Sequence, residues 1–387
     1  MDPVSNPYSP GAGLRPAVVV GRQQELDAFR ATVQRAELGR AGRGIILTGL
    51  RGVGKTVLLN EMANLAEDRD WIVARVEVQY DRSSATLAQL AMLLTAGLRR
   101  KQGTKPTELI KRALRSIKAL SLTLDPSGQV GASIDIDTAG SGDLEFDFAE
   151  VAKDLGRAAT ELGIGVAVFI DEFQDMDGRG MASLCAAAHA AGQRDAPFFV
   201  IGAGLPNLPA RLANAKSYAE RLFDYRPLGK LDSATAAQAL AQPASDVGVA
   251  WDRPALDAVV TASGGYPYFV QQFGSSTWES ATGPTITESD AEYGVRLGRA
   301  VLDGGFFRAR WDRATATERL YMRAMARDGG ADSSTADIAV RLERTMQSLG
   351  PVRAGLIAKG LIYAPEYGVI AFTVPGMADF ILRQIES

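Results

Sequence analysis

The chain has 387 residues, a length that usually forms two or three domains. Its 42 basic and 45 acidic residues give a net charge of −3, which excludes a strong overall attraction to nucleic acid or to anionic membranes. The single cysteine, Cys185, excludes an intrachain disulfide, no apolar run approaches the roughly 20 residues that span a bilayer, and the first residues lack a signal-peptide pattern, so we expect a cytoplasmic protein.

Residues 1–17 are rich in proline and glycine and are expected to form an N-terminal extension. The strongest signal follows, in the stretch GIILTGLRGVGKTVLLNEMANLA. Residues 44–48 are an apolar run typical of a buried strand, Gly49–Thr56 has the spacing G-x-x-x-x-G-K-T, and residues 54–66 have a helical pattern. We call Gly49–Thr56 the phosphate loop, because this order of elements places backbone N–H groups and a helix N-terminus around phosphates.

The phosphate loop predicts a nucleoside triphosphate ligand, which we take to be ATP with Mg²⁺. Lys55 is expected to reach the β- and γ-phosphates, and Thr56 to offer its hydroxyl to Mg²⁺. The loop residues expected to contact the nucleotide are Gly49, Gly52, Val53, Gly54, Lys55, Thr56 and Val57.

The other half of such a site is predicted at GIGVAVFIDEFQDM. Residues 165–170 are almost wholly apolar, as expected of a central parallel strand, and they are followed by Asp171 and Glu172. Asp171 is expected to hold Mg²⁺ through water, and Glu172 to polarise the water that attacks the γ-phosphate. The adjacent Asp-Glu pair therefore favours hydrolysis over binding alone.

Strand patterns alternate with helix patterns along this half of the chain. The predicted strands are residues 45–48, 71–78, 166–170 and 198–202, and the predicted helices include 85–98 and 148–162. This alternation predicts an α/β fold with a parallel sheet. Cys185 and His189 fall in a run of small residues with helical character, and both are expected to be structural.

An insertion at residues 98–147 interrupts the alternation. Residues 98–119 carry eight basic residues and one acid around an apolar helical stripe, which suits nucleic acid but also suits pairing with the seven acids of residues 125–150. Between them, SLTLDPSGQVGASIDID alternates apolar and polar residues, including Leu122 and Leu124, on both sides of a turn signal. This pattern predicts a β-hairpin.

The region from Val20 to Leu228 resembles the AAA+ superfamily, near the Orc1/Cdc6-like ATPases and the STAND signalling ATPases. VVVGRQQELDAF, at the start of this region, is similar to the segment that these families place before the phosphate loop. The resemblance implies a P-loop ATPase in which Val20, Gly21 and Arg22 contact the nucleotide.

Two further stretches bear on this resemblance. YAERLFDYRPLGKL resembles the region of the arginine finger, a residue that stabilises charge on the γ-phosphate across an interface, with Arg221 as the candidate and Arg226 in reserve. AAA+ proteins usually carry a polar sensor residue after the strand that corresponds to FFVIG, but here Gly202–Gly204 stand at this point and Asn207 is the nearest polar candidate. This departure predicts slow hydrolysis.

The alanine-rich stretch 231–281 is expected to form a helical lid. Its segment SGGYPYFVQQFG resembles the Gly-x-Pro element of STAND ATPases, matched by Gly265, Tyr266 and Pro267. The resemblance implies that Pro267 lies on the nucleotide base. The alternative is a structural Gly-Pro helix start with Tyr266 in the core.

The C-terminal stretch GLIAKGLIYAPEYGVIAFTVPG has the pattern of a helix end, a strand, a turn and a second strand. It resembles the winged helix that follows the lid in Orc1/Cdc6-like proteins and in several STAND ATPases, with Gly350-Pro351 as a turn before a recognition helix at 352–361. Residues 311–387 carry nine basic and nine acidic residues, with Arg341 and Arg344 able to touch phosphate. This neutral balance does not favour DNA binding by the module.

The expected fold class is thus α/β, an AAA+-type P-loop NTPase sheet core with a β-hairpin insertion, a helical lid and a C-terminal winged-helix domain. The expected domains are residues 1–17, 18–230, 231–300 and 301–387. Two functions fit: a Mg-dependent ATPase switch that controls a protein partner or self-assembly, and an ATP-regulated DNA-binding factor that uses residues 311–387 or 98–119.

Overall fold

The computed structural model describes residues 1–40, 42–101, 106–124 and 141–384, and the chain divides into two compact units. The sheet unit comprises Gln23–Thr48 and Leu58–Pro227, and the helical unit comprises Met1–Arg22, Gly49–Val57 and Leu228–Ser387. The division at Pro227 lies close to the predicted boundary at 230. The phosphate loop and the N-terminal segment, however, group with the lid and the C-terminal region.

The sheet unit is built on five parallel strands in the order β2-β3-β4-β1-β5. These strands are β1 Gly44–Thr48, β2 Ile72–Glu77, β3 Val166–Asp171, β4 Phe198–Gly204 and β5 Phe223–Pro227. All residues of β1 and β4 are buried, because helices cover the sheet, and this burial explains their continuous apolar sequences. The predicted parallel α/β sheet is confirmed, with β5 as an additional strand at one edge.

Eight helices accompany this sheet within the described residues. They are α1 Gln23–Glu37, α2 Lys55–Glu67, α3 Ser83–Lys101, α4 Glu108–Leu124, α5 Leu144–Leu162, α6 Gly178–Gly192, α7 Leu208–Ala215 and α8 Ala219–Leu222. Helix α4 buries Ile110, Ala113 and Ile117, so its predicted apolar stripe faces the core.

Part of the β-hairpin prediction is wrong. Leu122 and Leu124 lie in α4, because the amphipathic helical pattern that buries Ile117 and Leu120 continues to the end of that helix. The remainder of the predicted hairpin, residues 125–140, lies outside the described residues.

The lid region of the helical unit consists of helices and one short parallel strand pair. Its elements are α9 Ser233–Asp246, β6 Ala250–Trp251, α10 Arg253–Ser263, α11 Pro267–Ser280, β7 Thr285–Ile286, α12 Glu288–Val301 and α13 Arg308–Asp312. A π-helical segment, Leu302–Phe307, joins α12 to α13, and such segments are frequent at functional sites.

The C-terminal region combines four helices with a three-stranded antiparallel sheet of order β8-β10-β9. Its elements are α14 Ala316–Ala326, β8 Ser333–Ser334, α15 Thr335–Arg341, α16 Met346–Ala358, β9 Ile362–Tyr363, β10 Val369–Phe372 and α17 Met377–Arg383. The strand, turn and strand expected after α16 are present. A winged helix remains our prediction for this region.

The predicted turn at Gly350-Pro351 is wrong, because both residues lie inside α16. Proline removes one backbone donor from a helix, and here the affected carbonyl of Gln347 lies on an exposed residue where water can replace that donor. The helical break comes earlier, where Glu343 adopts a left-handed backbone with φ 52°.

Within the described ranges of the chain, no helix is long and apolar enough to cross a membrane.

Candidate functional site

The phosphate loop has the backbone that its glycines allow. Gly52 and Gly54 adopt φ angles of 91° and 93°, which a residue with a β-carbon rarely accepts. The Nζ of Lys55 is buried and donates to the carbonyl oxygens of Gly49 and Leu50 at 2.9 and 3.0 Å. Lys55 therefore folds back over its own loop, at the start of α2.

The lid contacts this loop directly within the helical unit. The hydroxyl of Tyr266 donates to the carbonyl of Arg51, and the amide of Tyr268 donates to the carbonyl of Gly52 at 3.2 Å. A β-carbon on Gly52 would lie 3.0 Å from the Tyr266 ring and 3.2 Å from Cβ of Tyr268. The loop backbone is thus fitted closely to the N-terminus of α11.

The C-terminal region contacts the same loop residue. The amide of Arg51 donates to the carbonyl of Thr373, just after β10, at 2.9 Å. The side chain of Arg51 approaches Gly360, where an added β-carbon would lie 3.0 Å from Nη2. Thr373 in turn donates its hydroxyl to the carbonyl of Gly360 at 2.8 Å. Arg51 therefore links the phosphate loop to both the lid and the C-terminal region.

The residues ahead of the phosphate loop that are predicted to contact the nucleotide also lie in the helical unit. Arg22 donates to the carbonyls of Val53 and Gly229 at 3.1 and 2.6 Å, so its guanidinium joins the loop to the start of the lid. Gly21 has φ 68°, and a β-carbon there would lie 2.6 Å from Thr235. Val20 is partly buried against the core of the helical unit.

The Gly-Tyr-Pro element forms the N-terminus of α11. Gly265 has φ 72°, and a β-carbon would lie 2.2 Å from the carbonyl oxygen of Leu231, so glycine is required there. Tyr266 directly precedes the helix without a side-chain capping bond, and Pro267 is the first helical residue, where the missing N–H costs nothing. Tyr266 is 7% exposed, and burial raises the pKa of its hydroxyl above its ordinary value. The structural alternative, a Gly-Pro helix start with Tyr266 in the core, is thus present, and contact of Pro267 with the nucleotide base stays a prediction.

The acidic pair lies at the carboxyl end of β3, in the sheet unit. The Oδ1 of Asp171 accepts from the amide of Glu172 at 2.8 Å, and Glu172 has a left-handed backbone with φ 48°. The Oε2 of Glu172 accepts from Nε2 of Gln174 at 2.7 Å. The carboxylate of Glu172 is thus held in a defined orientation by a neighbouring buried amide, a contact that the sequence analysis missed.

Gly202 and Gly204, at the end of β4, have no room for a β-carbon. A β-carbon on Gly202 would lie 2.6 Å from the Phe173 ring, and one on Gly204 would lie 2.7 Å from Oε1 of Gln174. Asn207, the expected polar candidate, stands before α7, and its Oδ1 is buried with no hydrogen-bond donor among the described residues.

The two arginine candidates lie in different settings. Arg221 is exposed on α8, which precedes β5, and Phe223 of β5 pairs with Gly44 at the start of β1. It therefore lies at the amino edge of the sheet, where it lines a cavity of about 630 Å³ with Arg35 and Arg43, and Asp171 lies at the carboxyl edge. The structure does not bring Arg221 to the acidic pair of its own sheet.

Arg226, the reserve candidate, lies within β5. Its guanidinium donates through Nε and Nη2 to Oδ2 of Asp224 at 2.8 and 2.6 Å. A carboxylate already partners this arginine.

Arg310 of α13 is a cationic residue that the sequence analysis missed. Its guanidinium lies 3.9 Å from the centre of the Phe306 ring and donates to the carbonyl of Phe306 at 2.7 Å. Burial, followed by the charge of Arg51, lowers the pKa of Arg310 to about 10. Burial is thus the main cause of this shift, and the positive charge of Arg51 in the phosphate loop further disfavours the charged form of Arg310. No short motif marks Arg310, because its position depends on packing in the π-helical segment.

The basic face of α4 is partly neutralised by acids of α5. The Nε of Arg112 lies 2.9 Å from Oδ1 of Asp154, whose side chain is 4% exposed, and Ser116 donates to the same carboxylate at 2.6 Å. Arg99, Arg100 and Arg115 remain exposed. Cys185 is buried, and burial raises the pKa of its thiol to about 12.

Two basic residues of the C-terminal region are also paired. Arg341 forms a two-pronged contact with Asp328 and donates to the carbonyl of Ala324 at 2.8 Å. Lys359 lies 2.5 Å from Oε2 of Glu318. Part of the positive charge that could contact DNA phosphate is therefore already paired with carboxylates of the protein itself.

The phosphate loop and the acidic pair lie within a recognised domain. Residues 18–201, just under half of the chain, match the model of the AAA ATPase domain. Residues 304–381 match a domain of unknown function, DUF8462. A comparison with curated proteins finds no match.

Solved structures resemble almost the whole chain. A Walker-type ATPase of Pyrococcus abyssi aligns with 95% of this chain and 97% of its own, at 16% identity and a TM-score of 0.57. The Orc1 protein of Aeropyrum pernix, solved in complex with DNA, covers 96% and 94% at 15% identity and a TM-score of 0.46. The RuvB Holliday junction branch migration motor of Thermotoga maritima covers 93% and 95% at 15% identity and a TM-score of 0.46.

The family match includes the glycine loop after β1 and the acidic pair after β3, and the first of these structures agrees in fold. Residues 18–201 therefore resemble the AAA ATPase domain in sequence, and the chain shares the fold of a Walker-type ATPase.

Proposed function

We propose that the protein binds and hydrolyses ATP. The positive-φ glycines of the phosphate loop leave backbone N–H groups for the phosphates, and Lys55 exchanges its loop carbonyls for β- and γ-phosphate oxygens. Glu172 orients and polarises a water molecule for attack on the γ-phosphorus, and the products are ADP and phosphate. Arg22 and Pro267 flank the loop from the helical unit, where they contact the ribose and base side of the nucleotide.

The donor set of the proposed site fits Mg²⁺. Thr56 offers a hydroxyl and Asp171 a carboxylate, and hard oxygen ligands of this kind, completed by water and phosphate, are those that Mg²⁺ prefers. When bound, Mg²⁺ supplies charge neutralisation on the phosphates. Orientation of the Glu172 carboxylate comes from the chain itself, through Gln174.

We further propose that the nucleotide state of the loop controls the surface presented by the lid and the C-terminal region. One observation carries this proposal: Arg51 accepts a hydrogen bond from Tyr266 of the lid and donates one to Thr373 of the C-terminal region. A phosphate that reorganises the loop backbone at Arg51 therefore acts on both bonds. The partner controlled in this way is a second protein or another copy of the chain, and Arg221, exposed at the amino edge of the sheet, is the residue we assign to a neighbour's γ-phosphate.

Nucleotide binding and turnover test the ATPase proposal together. We expect Lys55→Ala to lose ATP binding, and Glu172→Gln to keep binding while its turnover falls at least about a hundredfold, since general bases contribute factors of that order or more. The exposed pair Lys111 and Glu108 provides matched controls, Lys111→Ala and Glu108→Gln, which should leave both measurements unchanged. Hydrolysis by Glu172→Gln at the wild-type rate would refute the base assignment.

A DNA-associated role is the alternative, and the exposed Arg99, Arg100 and Arg115 favour it. Fluorescence anisotropy on a mixed DNA duplex, with and without ATP at two salt concentrations, separates the two functions. Binding that requires ATP, falls steeply with salt and is lost in the double variant Arg99→Glu, Arg100→Glu would establish the alternative. Binding in none of these states would leave a protein partner.

A further inference from the structure

We infer that Gln174 positions Glu172 for hydrolysis. AAA+ proteins usually carry a polar residue at the end of the neighbouring strand, and here the side chain of Gln174 supplies the polar group at that point. The inference rests on the proposed function, because it assigns a role to the water-polarising carboxylate of that same site. It concerns the sheet unit alone.

The side-chain amide of Gln174 bridges two fixed groups. Its Nε2 donates to Oε2 of Glu172 at 2.7 Å, and its Oε1 accepts from the backbone amide of Leu205 at 3.0 Å. Leu205 follows the last residue of β4, so the bridge ties the carboxylate to the end of the adjacent strand. Because the Leu205 N–H can only donate, it fixes the amide oxygen on its side and thereby turns the NH₂ group toward Glu172.

Gln174 cannot move freely away from this arrangement. It is 3% exposed, and it lies in the 3₁₀ turn Phe173–Asp175 that follows Glu172. Arg211 of α7 donates to the backbone carbonyl of Gln174 and, at 3.0 Å, to that of Met176. The guanidinium therefore holds the backbone from which the amide side chain extends.

The glycines at the end of β4 follow from this bridge. A β-carbon on Gly204 would lie 2.7 Å from Oε1 of Gln174, and one on Gly202 would lie 2.6 Å from Cδ1 of Phe173. A polar side chain at either position would displace the turn that carries Gln174. The missing sensor residue and the buried glutamine are thus two parts of one arrangement, in which β4 contributes a backbone N–H and the turn contributes the side chain.

Two variants separate positioning from stability. Gln174→Met removes both hydrogen bonds in a side chain of similar length. Gln174→Glu keeps an acceptor oxygen for the Leu205 amide but removes the NH₂ donor to Glu172. We expect both to lower kcat at least about tenfold while KM for ATP changes by less than about twofold, because a displaced base affects the chemical step. Gln272→Met, which removes a buried glutamine of the helical unit that donates to Ser276 at 3.2 Å, should leave kcat unchanged.

A double-mutant cycle decides between positioning and a general structural effect. If Gln174 acts through Glu172, Gln174→Met combined with Glu172→Gln will turn over no more slowly than Glu172→Gln alone. Additive losses in the cycle, a kcat that is unchanged or raised in Gln174→Glu, or a loss confined to KM would each overturn the inference. If Glu172→Gln itself hydrolyses ATP normally, the base assignment of the proposed function fails instead, so the two failures are distinguishable.

Discussion

Tyr266 and Tyr225 each donate one hydrogen bond from the hydroxyl to a backbone carbonyl, so the effects of removing the two bonds can be compared. The buried hydroxyl of Tyr266 donates to the Arg51 carbonyl of the phosphate loop, and Tyr225 in the sheet unit donates to the Ala219 carbonyl at 3.0 Å. We predict that Tyr266→Phe and Tyr225→Phe each reduce the free energy of unfolding by about 1 kcal/mol, a usual net value for one such bond. Only Tyr266→Phe should also weaken ATP binding, because only Tyr266 shapes the loop.

Urea unfolding measures the first effect and equilibrium titration with ATP the second. Equal ATP affinity in Tyr266→Phe and wild type would show that the lid bond does not contribute to the nucleotide site. An affinity loss in both variants would indicate general destabilisation.

Arg341 and Asp328 predict a pH-dependent contribution to stability. Their hydrogen bonds, the main cause, hold the pKa of Asp328 below the ordinary value of 3.8. A carboxyl whose pKa is lowered by folding adds stability above its unfolded pKa and loses it as the pH falls through the folded value. Arg341→Met should therefore cost about 1–3 kcal/mol at pH 7, as expected for bonds to a charged group, and progressively less as the pH falls from 3.8 through the lower pKa that Asp328 has in the folded protein.

Denaturant midpoints of wild type and Arg341→Met at pH 7 and near pH 3 check this prediction. A difference between the two proteins that stays constant across these pH values would mean that Arg341 stabilises by packing rather than through the Asp328 carboxylate.

At the scale of elements, the close packing of β4 against the turn Phe173–Asp175 gives a direct test. Gly202→Ala would place a β-carbon 2.6 Å from the Phe173 ring and 3.0 Å from Ile46, and overpacking of this kind typically costs about 1–3 kcal/mol. Because that turn carries Gln174, we also expect slower ATP turnover in this variant.

Gly192 of α6 provides the control, because an added β-carbon meets nothing within 4 Å there. Gly192→Ala should leave turnover unchanged. Thermal unfolding and steady-state ATPase rates measure both variants, and a Gly202→Ala protein as stable and active as wild type would contradict the packing described here.

The sequence predicted those elements whose pattern is determined locally. Strands β1, β3 and β4 are buried throughout or nearly so. Their apolar runs, bounded by glycine or acidic residues, predicted strands, and the sheet confirms them. Strand β5 was not recognised, because FDYRP contains polar residues and a proline, which an edge strand tolerates. The helical position of Pro351 could not be predicted either, since a Gly-Pro pair usually indicates a turn.

Some residues of the candidate site could likewise be predicted from the sequence, and others could not. The motif residues of the phosphate loop and the acidic pair follow from spacing and context. Gln174 and Arg310 could not be found by such reasoning, because the first depends on a bond to Leu205 and the second on its proximity to the charge of Arg51, and both interactions join residues distant in sequence. Spacing motifs report chemistry that is local along the chain, and tertiary contacts supply the rest.

At the scale of the whole molecule, the chain assigns the phosphate loop to the helical unit and the acidic pair to the sheet unit. Within the helical unit, a nucleotide that binds the loop contacts a segment that is hydrogen-bonded to the lid through Tyr266 and to the C-terminal region through Thr373. These bonds are the physical basis for the proposed switch, since a ligand shifts a conformational equilibrium only through contacts that differ between the two states.

Amide hydrogen exchange tests that switch most directly. With Glu172→Gln and saturating ATP and Mg²⁺, we predict altered exchange in peptides covering 264–270 and 360–374, which contain Tyr266 and Thr373, and unchanged exchange in α6. Lys55→Ala under the same conditions should show no change. If ATP alters exchange only in the phosphate loop and next to Asp171, while the lid and C-terminal peptides stay as they are without nucleotide, the protein binds ATP without acting as a switch.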